Sequence, residues 1–76
     1  MSSEFYNKVY KECQSYFGND TKDFLDKQIN THLLKPPDSV EYEDRHELAK
    51  WLWVSSALTI GPELARNLAD GVLAIK

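Results

Sequence analysis

The run Leu48-Ala49-Lys50-Trp51-Leu52-Trp53-Val54-Ser55-Ser56-Ala57-Leu58-Thr59-Ile60 is the longest nearly apolar stretch in the chain, and how it is buried decides the fold. It is shorter than the roughly 20 residues that a membrane-spanning helix needs, and Lys50, Ser55, Ser56 and Thr59 interrupt it. As a helix, it turns by about 100° per residue, so Trp51 and Trp53 point roughly 200° apart. Leu48, Trp51, Leu52, Ser55 and Leu58 make one face; Ala49, Trp53, Ser56, Ala57 and Ile60 make much of the opposite one. A helix that is apolar all round is normally buried all round. Either the other segments wrap it as a central post, or a partner covers one side. The commonest such partner is a second copy related by a two-fold axis.

Around this helix the chain reads as three more. Asp44 and Glu47 sit near the start of the central one, which is expected from about Glu43 to Ile60. Asp38 and Glu41 offer a capping box for an earlier start, but Val40 and Tyr42 alternate as in an extended connection. Gly61-Pro62 makes a tight break, and a fourth helix is expected over 62–75, with Leu64, Ala65, Leu68, Ala69, Val72, Leu73 and Ile75 inward. Upstream, Phe5, Val9, Cys13 and Phe17 recur every four residues, flanked by Tyr6, Tyr10 and Tyr16. They predict a helix over 3–17, capped by Ser2 or Ser3 and ended at Gly18. A second helix over 21–34, capped by Asn19 or Asp20, carries Phe24, Leu25, Gln28, Ile29, His32 and Leu33 on its apolar face and ends before Pro36-Pro37. The expectation is a single all-α domain over 1–76: a compact orthogonal bundle of four short helices, with abrupt changes of direction at the proline and glycine breaks.

Composition narrows the function classes. The apolar fraction of 42% suffices for a core in a domain of this size. A formal charge of −3, with nine scattered Lys and Arg residues, argues against nucleic acid and against an anionic membrane surface. One cysteine cannot form an internal disulfide, and the opening Met-Ser-Ser-Glu-Phe-Tyr lacks a signal-peptide pattern, so a cytoplasmic setting is expected.

No constellation points to catalysis. Cys13 lies on an apolar stripe with no cation at helical spacing, which reads as core. His32 and His46 lack the spacing of a helical ligand pair, and no metal is expected. An EF-hand loop starting at Asp38 would need glycine where Glu43 stands and glutamate where Ala49 stands. The helix-turn-helix pattern of Trp53 to Ile75 would present Glu63, Arg66, Asn67 and Asp70, a poor set for phosphates. No phosphate-cradling loop and no Ser/His/Asp set is visible, so neither cofactor nor enzymatic activity is expected.

Asp38-Ser39-Val40 resembles the Asp-Ser-Leu that carries the phosphopantetheine arm of acyl carrier proteins, which are also acidic, helical and of this length. The resemblance covers three residues. Pro36-Pro37 stands in place of the family's glycine, and a helix replaces the long loop before its serine. By themselves Asp38 and Ser39 read as turn or capping residues. The expectation is a protein–protein interaction module whose partner is another protein or a second copy. Its candidate surface residues are Trp51 and Trp53, with the tyrosine edge Tyr6, Tyr10 and Tyr16. The alternative is a small carrier using a gap lined by Phe17, Phe24 and Trp51.

Overall fold

The computed structural model describes residues 4–76. The expected caps Ser2 and Ser3 lie outside the described residues. Helix α1 spans Glu4–Phe17, α2 spans Thr21–Gln28 and continues as a π-helical turn over Ile29–Leu33, α3 spans Arg45–Ile60, and α4 spans Pro62–Leu73. The all-α, four-helix reading is therefore shown, with no strand among the described residues.

Several boundaries differ from expectation, each for a local reason. Gly18–Asp20 forms a 3-10 turn that runs directly into α2, so neither Asn19 nor Asp20 caps it through a side chain; instead the Thr21 hydroxyl donates to the Gly18 carbonyl at 2.6 Å. The α3 start is delayed by a 3-10 turn over Tyr42–Asp44, whose capping box is Glu41 with Asp44 rather than Asp38 with Glu41. There the Glu41 N–H donates to the Asp44 carboxylate at 2.9 Å. Lys35 also donates to that carboxylate at 2.9 Å. Partial burial alone would raise the pKa of Asp44, but Lys35 and the Glu41 N–H together hold it below the ordinary carboxylate value.

Gly18 (φ 58°) and Gly61 (φ 93°) take the positive dihedrals that end α1 and α3. Pro62 then opens α4 at its first turn. The second helix ends differently. Leu34, an 84% exposed leucine, takes the left-handed position after the π turn (φ 55°), a conformation that a branched side chain adopts at a cost.

Neighbouring helices run in opposite senses. Ser55 Oγ donates to Gln28 Oε1 at 2.6 Å, and four residues further along the second helix His32 stacks on Trp51, four residues back on the third. At the α1–α4 contact, Gly71 lies against the Glu12 carboxylate, while Lys8 donates to the carbonyl of Lys76. The core is built from Phe5, Tyr6, Val9 and Cys13 of α1, Leu25 and Ile29 of the second segment, and Val40 of the connection. Leu48, Ala49 and Leu52 of α3, with Leu68, Ala69 and Val72 of α4, complete it. In α4 Leu64 (47% exposed) and Leu73 (39%) lie at the edge of the core instead of facing fully inward, because the buried arc is narrower than the apolar arc.

Candidate functional site

The two sides of α3 are not treated alike. Leu48, Leu52 and Ser56 are buried, and Trp51 is half-covered by His32, whose ring lies 4.0 Å from its indole and within 5° of parallel. Trp53 is 46% exposed, Val54 49% and Leu58 90%. The second helical segment and α4 cover one flank of the helix, and the central-post arrangement is not what forms. Val54 and Leu58, four residues apart on one face, are the most exposed apolar side chains of the helix, while Trp53 lies further round, toward α4.

There a groove of about 440 Å³ runs between α3 and α4. From α3 it takes His46, Ala49, Lys50 and Trp53. From α4 it takes Arg66, Ala69, Asp70 and Leu73. Both sets follow the spacing i, i+3, i+4, i+7, one stripe of a helix over two turns. Ala49 and Ala69 are buried and end at Cβ, so the floor is apolar and the groove has depth where larger side chains would fill it. Lys50 and Arg66 are exposed on the rim. The Lys50 ammonium lies 5.1 Å from the Trp51 ring centroid, and Arg66 Nε is 4.0 Å from the Asp70 carboxylate, an exposed pair of little energetic weight.

The other expected surface residues are placed differently. Tyr6 is buried in the core, not on an edge, and its hydroxyl donates to Asp26 at 2.6 Å. Burial first, and then Asp26, push its pKa well above the ordinary tyrosine value. Tyr10 lies 6.2 Å from Tyr6 and is half-buried; Tyr16 is half-buried against the core. No continuous tyrosine edge results. Phe17 and Phe24 stack on each other at 4.2 Å, while Trp51 is taken up by His32, so these three rings pack against protein. A hollow of about 430 Å³ is lined by Tyr6, Lys22, Asp26, Asn30, Pro37 and Asp38, and the more apolar groove lies between α3 and α4. Sequence reasoning misses its residues because each stripe looks ordinary alone; the signal is the same four-residue spacing in two consecutive helices across the one-residue break at Gly61.

Cys13 is buried and free, its thiol pushed up to about 12 by burial first and Glu12 second. Ser39 is exposed in the 3-10 turn Pro37–Ser39, where its N–H donates to the Pro36 carbonyl at 3.0 Å. Among the described residues no group of three His, Cys, Asp or Glu could hold a metal ion, and no helix is long and apolar enough to cross a membrane. Compared with protein-family models, with curated proteins and with solved structures, the chain matches none.

Proposed function

We propose that this chain is a protein–protein interaction module, a small adaptor, regulator or accessory subunit, that docks its partner on the outward side of α3. The observation that carries this reading is the exposure of Val54 and Leu58, four residues apart on one face of α3, with Trp53 46% exposed about 140° round from Leu58 on the side toward α4. Large apolar side chains grouped in this way mark contact surfaces more often than isolated ones do, and tryptophan is a preferred anchor at the centre of an interface. The free thiol of Cys13 suits a reducing, cytoplasmic setting. This role requires neither cofactor nor catalytic group.

The test compares Leu58→Glu with Lys27→Glu, an exposed change on α2, in affinity capture from the source cells and in sedimentation equilibrium. The reading expects Leu58→Glu to abolish an association that Lys27→Glu retains. If the wild-type chain stays monomeric at high concentration and both variants capture the same proteins as wild type, the reading is wrong. A second reading, a small-ligand carrier, is favoured by the groove's volume of about 440 Å³, which falls in the range of small-molecule sites. A thermal-shift screen against lipids and nucleotides separates the two, since a ligand that binds only the folded chain raises its melting temperature.

A further inference from the structure

We infer that the groove between α3 and α4 receives an amphipathic helix of a partner protein whose apolar stripe is flanked by carboxylates. This rests on the interaction reading above, with which the groove shares Trp53, and names the chemistry of the partner. Shape is the first argument. The two walls are single helix stripes running in opposite senses over two turns, about 10 Å, which matches two turns of a third helix laid along them. Ala49 and Ala69 let its backbone come close. Trp53, 46% exposed, and Leu73, 39% exposed, give it one apolar contact from each wall.

Charge selects among amphipathic helices. The chain carries a net charge of −3, yet this groove is rimmed by Lys50 and Arg66, with His46 as a further donor. Among its lining residues the single carboxylate is Asp70, 4.0 Å from Arg66 Nε, so cations outnumber anions on the rim. Carboxylates on both flanks of a docked helix would meet Lys50 from one side and Arg66 from the other. A second copy fits this groove badly, because two-fold apposition sets Lys50 and Arg66 against the same pair.

Two synthetic helical peptides of about 18 residues, long enough to hold some helix alone, provide the probe. Both carry leucine at i, i+3, i+4 and i+7; one has glutamate flanks and the other lysine flanks. Laurate serves as a third arm. Titrations at low salt are followed by the methyl resonances of Ala49, Ala69 and Leu73. The glutamate peptide is expected to shift all three and to bind at least about fivefold more tightly than the lysine peptide. Lys50→Glu combined with Arg66→Glu, both at exposed positions, should invert that preference without loss of fold. Equal binding of the two peptides, shifts confined to other methyls, or shifts with laurate and neither peptide would each overturn the assignment. If that happens while Leu58→Glu still abolishes capture, the interaction reading stands and only the assignment of the partner falls. If capture is also unaffected, both fall.

Discussion

Leu52 and Leu58 are the same residue on the same helix, yet Leu52 is fully buried and Leu58 almost fully exposed. Truncating each to alanine therefore isolates what burial contributes. Leu52→Ala removes buried methyl groups and leaves a cavity that the surrounding helices only partly close, at a cost of about 3–4 kcal/mol. Leu58→Ala removes surface that water already wets. About one-tenth of the roughly 2 kcal/mol for full burial is at stake, and alanine's better helix propensity offsets a similar amount. The net change at Leu58 should lie within about 0.3 kcal/mol of zero. A chain of 76 residues has a total stability of about 4–11 kcal/mol, so Leu52→Ala removes a large part of it and Leu58→Ala almost none. Urea unfolding followed by the emission of Trp51 and Trp53 measures both. With a slope near 1 kcal/mol per molar, the Leu52→Ala midpoint should fall by about 3 M. A loss above about 1 kcal/mol at Leu58 would refute the description of that side as bare. If the loss also grew with protein concentration, a second copy would be the cover. A loss below about 1 kcal/mol at Leu52 would refute the packing of the core around α3.

Other perturbations test the backbone and the buried thiol. Gly71→Ala should stabilise the fold by up to about 1 kcal/mol through helix propensity, because the new methyl meets only the Glu12 carboxylate, the movable end of a flexible side chain; a lower melting temperature would show that Glu12 cannot yield. Leu34→Gly should also stabilise, by about 0.5–1 kcal/mol, since glycine takes the left-handed dihedral without strain and little leucine surface is buried there; the urea midpoint checks it. Cys13 stays protonated in the folded chain up to about pH 12 but ionises near 9 when unfolded, so its contribution is complete below pH 9 and is lost as pH rises toward 12. Comparing urea midpoints of wild type and Cys13→Ala between pH 7 and 10.5 should show the wild type losing stability more steeply above pH 9; parallel profiles would contradict the burial of the thiol.

Local chemistry makes the elements legible in the amino-acid order. The four-residue recurrence of Phe5, Val9 and Cys13 places α1 and its buried face. Gly18 and Gly61 mark helix ends because their backbones turn where other residues strain, and Pro62 marks a start because a proline fits the first turn. Capping is less legible. Asp20, Asp38, Glu41 and Asp44 all have side chains able to cap, and only the path of the chain selects Glu41 with Asp44. The left-handed Leu34 has no sequence signal at all, since leucine is an unusual residue there.

What the sequence determined by itself is that four helical segments form and that the one bearing Trp51 and Trp53 is apolar all round. Periodicity and end signals are local, and each segment expresses them without reference to the others. Which of its sides is covered is not local. That followed from the senses in which the segments run, with His32 stacking on Trp51 and Gln28 bonding Ser55 along one flank. Leu58 was then left in solvent and Val54 half-exposed, and the Ala49–Ala69 groove opened on the other side, bordered by Trp53. The second segment and α4 pack on α3 while α1 packs mainly on those two, so part of α3 goes uncovered, and only tertiary packing decides which part.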